Sequence, residues 1–240
     1  MATSDLRLRA LAVWARLKAR PTRFPVSGRA REPFARRALA VVAKFLLLAV
    51  LPFFVLVRVS VSFYSHERYP WFLALAVGVA CMLALMTAYG AWLSHRLTGR
   101  ARALVIARRV ALPLVLAYVV YALVYVSGVN AKSERVRAYY TTLHPLLRVA
   151  LSTCILFDRD VVITDAARRP GDYAGMGLPA KDGSLHARQR DGYVHAADLR
   201  TIDRSAVKNR LVQLYFWSME FGTLRHVGTA DHLHVELPVP

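Results

Sequence analysis

The sequence predicts a three-helix transmembrane anchor joined to a small extracytoplasmic α+β domain with an antiparallel sheet. Three observations lead to this prediction: long apolar runs, strong positive charge beside those runs, and mixed helix and strand patterns in the C-terminal part. Hydrophobic residues make up 56% of the 240 residues. We divide the chain into a basic segment at 1–37, a membrane part at 38–130 and a folded domain at 131–240.

The apolar runs lie at residues 41–64, 71–93 and 110–126. Crossing about 30 Å of hydrocarbon takes roughly 20 residues of helix, and the runs are close to that length. They are also too uniformly apolar for amphipathic surface helices. We therefore expect three transmembrane helices in a lipid bilayer.

The distribution of charge predicts the orientation. The segment 1–37 and a loop predicted at 96–109 together hold 13 of the net 18 positive charges. Short basic flanks stay on the cytoplasmic side during insertion, so three crossings are expected to place residues 131–240 outside. This part has 15 Lys or Arg against 12 Asp or Glu, so it is close to neutral and no nucleic-acid partner is expected.

The C-terminal part begins with a helical pattern. Residues 133–157 have helical periodicity, with Ser133 as a cap and Pro145 as the point where the helix kinks or divides. A β-branched strand is predicted at 160–165, and a glycine-rich loop at 171–183. These signals together predict the α+β character of the domain.

A second helix is predicted at 204–221. Val207, Leu211, Leu214 and Tyr215 lie on one face of this helix, at helical spacing. The bulky residues at 215–217 are expected in the core.

The last strand, predicted at 232–237, alternates polar and apolar residues. Successive strand side chains point to opposite faces, so His232, His234 and Glu236 share one face while the apolar residues enter the core. Further histidine and aspartate residues occur at 184–200. Two neutral imidazoles and a carboxylate can hold zinc and leave its fourth position for water, so this end of the chain is a candidate zinc site.

Four short motifs follow one another along the C-terminal part: ITDAAR at 163–168, SLH at 184–186, AADLR at 196–200 and DHLH at 231–234. In this order they resemble the motifs of the zinc D-Ala-D-Ala carboxypeptidase and L-alanyl-D-glutamate endopeptidase family. That family includes VanY-type and phage endolysin peptidases, and it shares its fold with the Hedgehog signalling domain. The resemblance covers residues 143–237, less than half of the chain.

The resemblance implies a role for each polar residue of these motifs. His186, Asp198 and His234 would be the zinc ligands. Asp231 would be the general base that takes a proton from the attacking water.

Residues beside these ligands would bind or support. Arg168 would bind a carboxylate of the peptide substrate, since a guanidinium forms two parallel hydrogen bonds to such a group. Ser184 would support the loop that carries His186 rather than act as a nucleophile. Glu236 is a candidate hydrogen-bond partner of a ligand histidine, and Glu236 or His232 is the alternative base.

The interval between His186 and Asp198 is twelve positions, which is longer than in the family motif. An insertion that includes residues 188–191 explains the excess if Asp198 remains the ligand, as the apolar residues around it favour. Alternatively, Asp191 or His195 replaces a ligand; otherwise His195 is a solvated residue or a hydrogen-bond partner of a ligand.

The expected function is that of a membrane-anchored zinc metallopeptidase in the bacterial cytoplasmic membrane. By the resemblance it would cleave peptidoglycan stem peptides, as a D,D-carboxypeptidase or as an L-Ala-D-Glu-type endopeptidase. One alternative is a catalytically inactive cell-wall-binding domain of the same fold. The other is a membrane assembly protein in which the three helices carry the function.

Overall fold

The computed structural model describes residues 34–168, 184–228 and 231–239. Most of the basic segment 1–37 and all of the predicted loop 171–183 lie outside the described residues. The elements below are numbered in chain order.

Within these ranges, three helices are long and apolar enough to span a membrane. Helix α1 is Phe34–Ser65 and α2 is Trp71–Thr98. Helix α3 covers Ala103–Val124 and contains a π-helical turn at Ala107–Ala111. The prediction of three membrane helices is therefore confirmed at the level of helix length and hydropathy.

The basic loop predicted at 96–109 is shorter in the structure. Helix α2 continues to Thr98 and ends at Gly99, whose φ of 72° lies in the left-handed region that glycine adopts without strain. Helix α3 already begins at Ala103. Arg108 and Arg109 therefore lie on the exposed surface of a helix rather than in a loop.

The helical region after the membrane helices is divided at Pro145, as predicted. Helix α4 is Glu134–Tyr139, and the Ser133 hydroxyl caps it by accepting the N–H of Val136 at 3.3 Å. Helix α5 is Pro145–Phe157. Pro145 begins this helix because the first helical position needs no N–H donor.

Helix α5 packs against the membrane helices. The Tyr118 hydroxyl of α3 lies 2.6 Å from the Thr153 hydroxyl, and the Phe53 ring of α1 meets the Phe157 ring edge-on at 5.9 Å. Apolar residues of α1, α3 and α5 are buried in one hydrophobic core with residues of the sheet. The small domain is therefore packed onto the helices that anchor it.

Four antiparallel strands form one sheet in the order β1-β2-β4-β3. Strand β1 is Ile163–Asp165, shorter than the predicted 160–165, and β2 is Ala196–Arg200. Strand β3 is Gly222–His226, where no strand was predicted, and β4 is His232–Glu236. The predicted alternation of β4 is confirmed, because its apolar residues are buried and its polar residues are partly exposed.

Helix α6, Ala206–Ser218, carries most of its predicted apolar face outward, whereas Tyr215 packs against the core. Val207, Leu211 and Leu214 are each more than half exposed. The expectation that Trp217 lies in the core is wrong, since this side chain is 67% exposed on the same face. The opposite face is buried instead, through Asn209, Val212 and Phe216. Periodicity identifies an apolar face but not the element that covers it.

Candidate metal centre

Two neighbouring strands place a carboxylate and an imidazole side by side. Asp198 on β2 pairs directly with His234 on β4, so both side chains lie on the same face of the sheet. The flanking residues Leu199, Leu233 and Val235 enter the core on the other face. The strand alternation that the sequence shows therefore aims these two polar groups at one point.

His186 completes the group from a turn outside the sheet. This turn is held by two backbone hydrogen bonds, from Arg168 N–H to the His186 carbonyl at 2.9 Å and from His195 N–H to the Leu185 carbonyl at 3.0 Å. The Ser184 carbonyl accepts from the Ala187 N–H at 2.9 Å within the same turn. The backbone of Ser184 thus takes part in the turn that carries His186, and the supporting role of its side chain stays a prediction.

The three candidate ligand atoms form a small triangle. Nε2 of His186 lies 3.2 Å from Nδ1 of His234, and that Nδ1 lies 2.9 Å from Oδ1 of Asp198. The third side, from Oδ1 to His186 Nε2, is 3.2 Å. Zinc bonds of about 2.0–2.1 Å at tetrahedral angles separate neighbouring ligand atoms by roughly 3.3 Å. The triangle is close to the size that zinc requires.

Protonation favours a cation at this triangle. Burial acts to raise the pKa of Asp198, but hydrogen bonds with His186 and His234 outweigh it and hold that pKa well below its usual range. The hydrogen bond with Asp198 in turn raises the pKa of His234. An ionised carboxylate that is 3% exposed needs nearby positive charge, which protonated imidazoles or a metal ion can supply.

A second carboxylate determines which nitrogen of His234 faces the triangle. Nε2 of His234 donates to Oε2 of Glu236 at 3.2 Å. In the protonated ring Nδ1 donates to Asp198 and Nε2 donates to Glu236. A metal bound at Nδ1 would replace the proton of that nitrogen and leave the Nε2 proton with Glu236. This is the arrangement found around metal-bound histidines, whose second nitrogen donates to a carboxylate or carbonyl.

Arg168 lies beside the triangle, but two carboxylates of the chain contact its guanidinium. Its Nε donates to Asp165 at 2.5 Å, and a terminal nitrogen donates to Oδ2 of Asp198 at 2.9 Å. The substrate carboxylate predicted at Arg168 would compete with these two partners, and no motif in the sequence indicates Asp165 as one of them. Asp165 is the last residue of β1 and lies three positions before Arg168. This spacing predicts a contact between the two side chains only when the end of the strand is known.

Asp231 lies apart from the triangle. Its two oxygens accept from the Arg225 guanidinium at 2.9 and 2.8 Å, and the Thr201 hydroxyl donates to it at 2.5 Å. These hydrogen bonds lower the pKa of Asp231. Arg225 pairs with Leu233, so its side chain lies on the face of the sheet opposite His234. Asp231 accepts hydrogen bonds from Arg225 and therefore lies on that face as well. Two residues three apart along an extended strand face opposite ways.

His232 lies at the edge of the site. Its Nε2 is 3.6 Å from Oδ1 of Asp198, and its ring stacks on His226 with centroids 4.7 Å apart. His226 pairs with His232 across β3 and β4. His232 is therefore close to the site without being one of the three grouped ligands.

A second group of metal-ligand residues occurs in the described part of the chain: His144, Asp191 and His195. His195 donates from Nε2 to Asp191 at 2.8 Å, while Nδ1 of His144 accepts the N–H of Leu146 at 3.3 Å as the cap of α5. Burial lowers the pKa of His144 to about 3, so its ring is neutral. With the lone pair used at Nδ1, the proton is on Nε2, which then cannot bind a metal. His144 is about 50 residues before His195 in the chain, and no sequence motif indicates that the two lie together.

The long connection between His186 and Asp198 contacts the membrane helices. The Tyr193 ring meets Trp71 of α2 edge-on at 6.1 Å, and the His195 ring lies 6.4 Å from the Tyr64 ring of α1. Tyr193 and His195 therefore form a contact between the sheet domain and helices α1 and α2. Asp198 stays in the triangle, whereas Asp191 and His195 belong to this contact.

No family model, curated protein sequence or solved structure matches this chain.

Proposed function

We propose that residues 131–240 form a zinc-dependent hydrolase domain anchored in the membrane by α1, α2 and α3. The observation that carries this proposal is the triangle of His186, Asp198 and His234, whose sides of 2.9–3.2 Å are close to those of a zinc ligand set. When bound, zinc supplies a Lewis acid that lowers the pKa of a bound water and polarises a carbonyl group. The three residues of the chain would hold the ion and leave its fourth position for water or substrate.

The proposed substrates are stem peptides of bacterial peptidoglycan. Two arguments support this class: the ordered motifs resemble those of peptidases that act on such peptides, and the charge distribution favours an outer position for the domain. The five arginines between positions 96 and 109 lie around the connection between α2 and α3, whereas the other end of α2, at Trp71, contacts Tyr193 of the sheet domain. Short basic segments of this kind are retained in the cytoplasm.

A second candidate is a metal-stabilised domain that binds cell-wall peptides without cleaving them. The positions of Asp231 and Arg168 favour it. Asp231 is engaged by Arg225 on the other side of the sheet, and Arg168 is engaged by Asp165 and Asp198. As a base, Asp231 would have to leave the Arg225 pair, and as a carboxylate receptor Arg168 would have to exchange a protein partner for the substrate.

The test uses the full chain in detergent micelles. Zinc content is measured on the purified protein, and cleavage of synthetic stem peptides is followed in the same sample. We expect zinc in the wild type and its loss in His186→Ala and His234→Ala. His226→Ala removes an exposed imidazole on the neighbouring strand and is the matched control, with zinc retained.

Each result decides one part of the proposal. Wild-type protein without zinc after equilibration with the metal would overturn the metal centre. Zinc with chelator-sensitive cleavage supports the peptidase, whereas zinc without cleavage supports the binding domain. If Asp231→Ala retains both zinc and full turnover, the base must be another group, with Glu236 and His232 the nearest candidates.

A further inference from the structure

Glu236 and Gly222 occupy facing positions on β4 and β3. A Cβ atom on Gly222 would lie 2.6 Å from Cγ of Glu236 and 2.7 Å from Oε1. Such distances are well inside van der Waals contact, so any side chain at position 222 would displace Glu236. The backbone at Gly222 is not in the left-handed region, so it is the space, and not the backbone conformation, that requires glycine here.

The Glu236 carboxylate uses this space to reach His234. The two residues are two positions apart on one strand and therefore share a face. Oε2 of Glu236 accepts from Nε2 of His234 at 3.2 Å, while the other nitrogen of the ring lies 2.9 Å from Asp198. A proton held on Nε2 by Glu236 leaves Nδ1 as the nitrogen that can exchange its hydrogen bond with Asp198 for a metal.

We propose that Glu236 is a positioning residue for the zinc centre. Because Gly222 has no side chain, it leaves the space in which the Glu236 carboxylate lies against His234. The inference rests on the proposed metal site but not on catalysis. It assigns a function to β3, which contributes no ligand of its own to the triangle.

The experiment measures the zinc affinity of the full chain in detergent by competition with a chromophoric chelator. We expect Glu236→Ala to weaken zinc binding by about 10–100-fold, the usual effect of removing the partner of a ligand histidine. Gly222→Ala should cause a loss of similar size without changing any polar group. Glu236→Gln keeps an acceptor oxygen and should lose less than Glu236→Ala.

The double variant Gly222→Ala/Glu236→Ala separates this role from general damage to the sheet. If Gly222 acts only through Glu236, the double variant binds zinc no more weakly than Glu236→Ala, because the two changes remove one interaction. Thr223→Ala on the other face of β3 and Glu134→Ala at the exposed start of α4 are the controls, and both should bind zinc like the wild type. Visible absorption of the cobalt(II) form reports ligand geometry in each variant.

The outcomes of this experiment are distinguishable from those of the proposed function. Absence of zinc binding in the wild type would overturn both. Tight binding in the wild type with unchanged affinity in Glu236→Ala and Gly222→Ala would overturn this inference alone. Additive losses in the double variant would show that Gly222 acts on the sheet rather than through Glu236, and would overturn the role given to the glycine.

Discussion

Replacing Arg168 by alanine tests the electrostatic design of the site. In the structure Arg168 donates to Asp165 and Asp198, and all three side chains are less than one-fifth exposed. Arg168→Ala removes the positive charge that faces Oδ2 of Asp198. Among the residues that the structure describes, the Asp198 carboxylate then keeps its imidazole partners, and Asp165 loses the ion pair shown with Arg168.

The size of the effect follows from the burial of this ion pair. Breaking a buried pair by removing one partner costs about 3–5 kcal/mol. The contact with Asp198 is a single 2.9 Å hydrogen bond and imidazoles remain nearby, so we expect about 3 kcal/mol. For a chain of this length the melting temperature would fall by roughly 6–12 °C. Zinc supplies a competing positive charge at Oδ1, so the deficit should shrink by more than half when zinc is added.

The assay is thermal unfolding of the detergent-solubilised chain, with chelator and with excess zinc. Arg168→Lys keeps the charge but not the fork and should lie between alanine and wild type. Arg190→Ala removes one exposed arginine and serves as the control for net charge. If Arg168→Ala melts with the wild type in chelator, or if zinc leaves the deficit unchanged, Arg168 is not the counter-charge of Asp198.

Three further predictions concern the packing and pH response of the fold. Tyr140→Phe removes a buried hydroxyl that lies 2.7 Å from the Ala122 carbonyl and 2.8 Å from the Ser152 hydroxyl. The free energy of unfolding, measured by denaturant titration, should fall by about 1–3 kcal/mol. The fall should be much smaller in the control variant Tyr139→Phe, whose ring is half-buried. Gly78→Ala would place a methyl group 2.1 Å from the Ser60 hydroxyl and 2.5 Å from the Leu56 carbonyl. It should lower the melting temperature by separating α1 from α2, at a cost of about 1–3 kcal/mol, and Ser60→Gly should restore only part because the carbonyl contact remains. Burial lowers the pKa of His144 from 6.5 to about 3, so the stability that the neutral ring contributes is present above pH 6.5 and is lost as the pH falls toward 3. The melting temperature of His144→Asn should therefore depend less on pH between pH 7 and 4 than that of the wild type. An unchanged slope would mean that His144 does not cause the loss of stability in acid.

Much of the architecture could be predicted because it depends on local patterns. The three membrane helices are identified by their apolar runs, which have the length of roughly 20 residues that a helix needs to cross the hydrocarbon of a bilayer. Pro145 divides the helical region because its ring and missing N–H exclude it from a helix interior. The alternation of β4 predicted the face shared by His234 and Glu236, and strand period alone is enough for that.

The incorrect predictions concern elements whose sequence pattern is compatible with two structural arrangements. The apolar face of α6 that carries Leu211 was identified, yet helix periodicity could not show that the face with Val212 and Phe216 meets the core. Strand β3 was not predicted, since Gly222 and Arg225 weaken its strand signal, and its pairing with β4 supplies the stability that its own residues lack.

The sequence by itself determined that the chain has three membrane-length helices and a strand presenting His234 with Glu236, because hydropathy and period are properties of neighbouring residues. Only the tertiary structure decided the partners of the charged groups. Arg168 lies between two carboxylates, and Asp231 joins Arg225 across the sheet from the imidazoles. These pairings join segments distant in the chain, and their geometry is set by strand register and by the docking of the sheet on the helices, which no local pattern encodes.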